Sequence, residues 1–330
     1  MSEHSRLRLP ARRTWLWVVG LLLCAFALVA VHEFFIRSAT GQWLEQATLE
    51  SRYWNITQGP LQNETLRQLL LKAPAAAAAV SGLIFLAITL LRRRFLAAGI
   101  AIVVFLGANI TTQVLKNVWI HRLDHEIPLS VADMRSWWWT DPTFPSGHAT
   151  MAAAAAVAVF LVSAPHQRPF IGLFTGLLAV FSGAAIFMTG HFASDIIAAY
   201  LVAALWGIAG GWLVMRTGER WNTVTVEDDT AVGAGAGLAW FLGVVFCAAT
   251  GLALLFAGGW EAVRTAAENP SGWHWVAGTL LPVGPGFLLC AAGITFFDAE
   301  AGRRHHGQPL HAAPPTPHPV PPQFTHLYDV

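Results

Sequence analysis

Charge is what this chain has least of. Only 12% of its 330 residues are Asp, Glu, Lys or Arg, against 55% hydrophobic, and the mean hydropathy is positive. A soluble domain has no way to hide that much apolar surface, whereas a chain that crosses a bilayer repeatedly has no need to. The formal net charge of +1 lacks the basic excess by which a protein recognises nucleic acid. Cysteine is scarce as well. Cys24, Cys247 and Cys290 all fall inside apolar runs, so neither a disulfide framework nor a zinc-ligand spacing can be built from them. They read as small packing residues. The apolar runs also carry almost no ionisable residues at mid-depth, which argues against a transporter or channel.

What the chain does have is a series of apolar runs, most of them close to the roughly 20 residues that span a bilayer. The first starts at Trp15 behind Arg6, Arg8, Arg12 and Arg13, and no small-residue cleavage site follows it. It reads as an uncleaved helix. Further runs cover 74–91, 95–115, 148–164, 170–189, 195–214, 233–258 and 276–297. The expected fold is therefore all-α, a polytopic membrane helical bundle of about eight transmembrane helices. Its expected divisions are an N-terminus over 1–13, a six-helix core over 14–215, two further helices within 216–298, and a tail over 299–330.

Between the runs lie polar segments. Residues 37–72 read as a loop, and the acceptor-like triplets Asn55-Ile56-Thr57 and Asn63-Glu64-Thr65 within it are common by chance. Asn109-Ile110-Thr111, inside a run, reads as helix–helix hydrogen bonding. The tail is rich in proline and histidine without apolar period, and is expected to be disordered. Its histidines read as solvated residues, not as a metal site. Arginines at the N-terminus, at 92–94, at Arg168, at Arg216 with Arg220, and at Arg303 with Arg304 fall on alternate connections. By the positive-inside rule those connections, and both termini, are expected in the cytoplasm. The bias toward arginine and alanine suggests a bacterial cell membrane.

The chemistry-bearing residues all fall on the other connections. Pro145-Ser146-Gly147-His148 opens an alanine-rich run. A capping serine at a helix start leaves backbone N–H groups pointing outward, where the helix dipole helps them hold an anion. Gly147 lets the backbone approach that anion closely. His191 and Asp195 are four residues apart, so on a helix they share a face. A histidine whose one ring nitrogen donates to a carboxylate can attack phosphorus through the other. His148 is then the acid, and Lys116, Arg122, Ser146 and Gly147 hold the phosphoryl group. His121 and His125 lack a carboxylate at comparable spacing and read as loop residues. Trp137, Trp138 and Trp139 read as an aromatic belt at headgroup level.

These motifs resemble those of the type-2 phosphatidic-acid phosphatases, the integral membrane lipid-phosphate phosphatases, over roughly residues 70–215. That family carries a lysine followed shortly by Arg-Pro, then Pro-Ser-Gly-His, then Ser-Arg, five residues, His, three residues and Asp. Here the middle motif is complete, and His191 and Asp195 keep the third motif's spacing. The resemblance implies a six-helix core, a phosphohistidine on His191, His148 as acid, no cofactor or metal, and a lipid phosphate or polyprenyl (pyro)phosphate as substrate. It also implies an extracytoplasmic site. Three positions depart from the pattern. Leu123 follows Arg122 where the family has proline, and Ala184 and Ala185 stand where it has Ser-Arg. An arginine on the phosphoryl oxygens is thus missing, and Arg135 is the loop residue that can supply the charge. The alternative is a catalytically weak or inactive member of the same fold that binds lipid phosphate or scaffolds a partner.

Overall fold

The structure is a computed structural model that describes residues 13–119, 143–217, 222–225 and 229–304. Among them helix dominates. α1 covers Thr14–His32 and continues through a π turn at Glu33–Arg37; α2 is Ala39–Gln58, α3 Glu64–Arg92 and α4 Phe95–Val118. After the segment 120–142 come α5 (Gly147–Val162), α6 (Arg168–Thr189) and α7 (Ala193–Thr217). Then follow α8 (Asp229–Phe256), the short α9 (Gly259–Arg264), α10 (Gly272–Leu280) and α11 (Val283–Glu300). Two three-residue strands, Thr223–Thr225 and Gly302–Arg304, pair in parallel. Polar side chains start several helices: Ser38, Asn63, Ser146 and Ser271 each accept a hydrogen bond from a first-turn amide, which satisfies a donor the helix itself cannot.

Among the described residues, seven helical stretches are long and apolar enough to cross a membrane. The chain is an integral membrane protein. α5 is the shorter apolar helix, with 16 residues, about 24 Å at 1.5 Å per residue. It needs no full span of its own, because α3, α4, α6 and α7 pack around it and its alanines are buried on every side. The last stretch, Gly272–Glu300, starts earlier than its apolar run and is interrupted at Leu281 and Pro282, where the proline has no amide hydrogen to continue the helical hydrogen bonds.

One expectation is corrected. The polar segment 37–72 is no loop: α2 occupies 20 residues of it. Its buried residues include Gln42, Glu45, Gln46, Thr48, Ser51, Arg52 and Asn55. It is seated by α9 and α10, with Ser51 Oγ donating to Ser271 O at 2.7 Å. A helix buried through polar contacts has no apolar period to read.

The bundle has two chemically different ends. At one, Arg94 donates to Val162 O at 3.1 Å, Arg168 to Asn222 Oδ1 at 2.7 Å and Arg216 to Thr14 Oγ1 at 2.6 Å. Arg13 pairs with the buried Glu300 at 2.7 Å, which also accepts from Trp17 Nε1. The described arginines from alternate connections therefore gather together. The opposite end receives the C-termini of α1, α4 and α6 and the N-termini of α5 and α7. There His32 stacks on Trp119 with ring centroids 4.7 Å apart, and Trp119 and Phe144 lie 5.7 Å apart. Trp119 and Phe144, on either side of segment 120–142, thus lie together at this end.

Candidate active site

The register between α4 and α5 is set in the interior. Thr112 and Thr150 share a buried hydrogen bond of 2.9 Å. The helices run antiparallel, so Lys116, one turn beyond Thr112, comes level with the start of α5. A Cβ on Gly147 would lie 3.9 Å from Lys116 Nζ and 3.4 Å from Gln113 Nε2. Gln113 was not among the residues singled out by motif, and nothing marked it except its place one turn before Lys116.

Ser146 is fully buried. Its Oγ accepts from Ala149 N at 3.3 Å, and its own amide donates to Asp195 O at 2.9 Å. The serine is therefore occupied in holding the start of α5 against the start of α7. Because Ala149 N is capped, the donors left at this end are those ahead of it, at Gly147 and His148.

The α6–α7 connection is a turn of three residues. Gly190 N and His191 N both donate to Ile186 O, at 3.1 and 3.2 Å, which ends α6. Phe192 then caps α7, and Asp195, in the first turn, reaches back so that its Oδ2 accepts from Phe192 N at 3.2 Å. A side chain at the third helical position that returns to the capping residue's amide is half of a capping box. His191 Nδ1 lies 3.5 Å from the same Oδ2, with His191 16% exposed and Asp195 at 0%. The two do meet, though not as two residues on one helix: His191 stands in the turn and Asp195 in the helix, and the capping geometry joins them. At 3.5 Å the contact is at the limit of a hydrogen bond, and Nδ1 has no other partner among the described residues. Such bonds are often long until substrate tightens them.

His148 and His191 face each other with ring centroids 6.0 Å apart. His148 lies in the field of Lys116 and His191, and Lys116 in that of Asp195. Two histidines, a lysine, a buried carboxylate and a helix start thus converge from three helices and one turn. Residues 96–222 match the PAP2 superfamily. No curated protein and no solved structure matches the chain.

The PAP2 segment begins in α4 and ends just past α7, so it contains every site residue described so far. Members of the superfamily generally hydrolyse phosphate esters, and the match supports a phosphatase-type function in general terms. Of the residues expected at the site, His148, His191, Asp195, Lys116, Ser146 and Gly147 come together. Arg122, and with it Arg135, His121, His125 and Trp137–Trp139, lies outside the described residues. Ala184 and Ala185 are buried in the last turns of α6. Among the described residues no three His, Cys, Asp or Glu side chains are grouped to hold a metal ion. Within α4, Thr111 Oγ1 accepts from Trp206 Nε1 at 3.0 Å and so bonds across to α7, whereas Asn109 bonds Phe105 O of its own helix.

Proposed function

We propose that this protein hydrolyses a lipid phosphate or polyprenyl (pyro)phosphate at the extracytoplasmic face of a membrane, through a phosphohistidine on His191. The observation that carries the reading is the pairing of His191 with a fully buried carboxylate beside an anion-ready helix start and Lys116. With Nδ1–H turned to Asp195, the Nε2 lone pair attacks phosphorus. The P–N bond forms as the bond to the leaving oxygen breaks, and protonated His148 gives that oxygen its proton. Asp195 balances the positive charge left on the imidazole. A water then attacks phosphorus and gives its proton to His148, the P–N bond breaks, and inorganic phosphate leaves. Lys116 and the amides at the start of α5 balance the equatorial oxygens throughout.

Two features support the extracytoplasmic face: the arginines gather at the opposite end of the bundle, and the positive-inside rule puts that end in the cytoplasm. A lipid substrate suits a site at the rim of apolar helices. Ala185 favours a second reading, lipid-phosphate binding without turnover, because the arginine that would hold the phosphoryl oxygens is absent there.

Phosphate release in detergent, with a chelator present, separates the two. The panel is phosphatidic acid, phosphatidylglycerol phosphate, and polyprenyl phosphate and pyrophosphate. Release from at least one of them is expected; binding without release from any would establish the second reading. In the same assay His148→Ala should slow a lipid alkoxide leaving group by about 10²–10⁴-fold. It should slow para-nitrophenyl phosphate far less, since that leaving group departs without a proton. Equal losses on both substrates would remove His148 from the acid role.

A further inference from the structure

The cation missing from the third motif has a counterpart elsewhere in the fold. Arg52, on α2, lies 135 residues before Phe187 and 139 before His191, and outside the segment that matches PAP2. Its side chain is 1% exposed. Nη1 donates to Phe187 O at 3.0 Å and to His191 O at 2.6 Å. The guanidinium lies 5.6 Å from the ring centroid of Phe187 and 5.8 Å from that of Phe192. One cation therefore touches the last turn of α6, the candidate nucleophile and the residue after it.

The local backbone explains why a cation belongs there. In a continuing helix Phe187 O would receive the amide of His191, but that amide turns to Ile186 O. Phe187 O is left among the orphan carbonyls that carry the negative end of the helix dipole, and a cation is favoured at that end. Ala185 lies in the same turn of α6. Where the family draws its arginine from α6, this chain brings one to the same turn from α2. The helix is braced for it: Ser51 bonds Ser271, and Leu49 packs with Phe192.

We propose that Arg52 is a positioning residue for His191, holding the turn by its carbonyls and setting a permanent positive charge behind the nucleophile in place of the absent third-motif arginine. This rests on the phosphohistidine reading above. Both carbonyls are held by a single nitrogen, so an ammonium can make both bonds. Arg52→Lys keeps charge and donors; Arg52→Gln keeps a donor and removes the charge.

The test measures kcat, KM, melting temperature and orthovanadate binding for the parent and both variants in detergent. Arg52→Gln is expected to lose about 10²-fold in kcat, the scale of a misplaced reacting group, with KM within about threefold. It should bind orthovanadate correspondingly less tightly, and Arg52→Lys should recover at least about tenfold of the lost rate. Parental kcat in Arg52→Gln overturns the proposal and leaves the phosphatase reading standing. So does an equal loss in both variants that tracks their melting temperatures, which would make Arg52 a packing residue only. A parent that turns over none of the panel and binds no orthovanadate removes the phosphatase reading, and the role of Arg52 goes with it.

Discussion

His191→Ala is expected to abolish turnover, with kcat falling by about 10⁴-fold or more. Nothing else in the described site can attack phosphorus with the same support, since His148 has no carboxylate paired with it. The fold should survive the change. His191 stands in a turn, its ring makes the long contact to Asp195 and an edge contact with the His148 ring, and the group that Arg52 grips is its backbone carbonyl, which alanine keeps. The melting temperature should therefore move little. Lys116 and the start of α5 are untouched, so binding of inorganic phosphate should remain within a few-fold of the parent, whereas orthovanadate, which bonds to the attacking nitrogen, should bind at least as weakly as it does to Arg52→Gln. Rapid quenching of the parent with a radiolabelled lipid phosphate should trap an acid-labile, base-stable label on the protein, absent from the variant. A His191→Ala protein that still releases phosphate at the parental rate would sink the covalent reading altogether.

How much of this could be read in the sequence depended on the kind of signal involved. The apolar runs are long-range averages, and they gave nearly every span; only α5 is shorter than a span, because neighbours rather than lipid surround it. The residues at Pro145–His148 and at His191 with Asp195 were legible because their chemistry is local, each group lying within one turn of chain. The geometry behind the second pair was not. Four-residue spacing suggested one helix face, whereas the contact comes from an N-terminal cap, with Asp195 bonding Phe192 N and meeting His191 on the way. α2 was illegible for a deeper reason. Its burial is polar, through Gln42, Glu45, Gln46 and Arg52, and no periodicity marks a helix whose neighbours are matched by hydrogen bonds. Arg52 and Gln113 reach the site through tertiary packing, and a single sequence carries no trace of that. Arg135, the loop residue expected to replace the missing cation, lies outside the described residues; the buried Arg52 is the cation the fold brings to the turn.

The second large effect is expected from Asp195→Asn, with kcat lowered by about 10²–10⁴-fold. The substitution is nearly isosteric, and an asparagine oxygen can still accept from Phe192 N, so α7 should keep its start. Ser146 should keep its bond as well, because that bond goes to the backbone oxygen of residue 195. What changes is the face shown to His191. With the oxygen committed to Phe192 N, the amide nitrogen becomes the group near Nδ1. An N–H donor there favours the tautomer with a lone pair on Nδ1 and the proton on Nε2, which leaves Nε2 nothing to attack with. The charge that would balance the phosphorylated imidazole is lost at the same time. Both losses act through His191 alone, so the effects should not add: His191→Ala with Asp195→Asn should be no slower than His191→Ala by itself. The full cycle of four proteins, assayed on the best substrate of the panel, checks this. If the two substitutions multiplied instead, Asp195 would be acting independently of His191, and its place would be beside Lys116 as a counter-charge in the phosphate pocket.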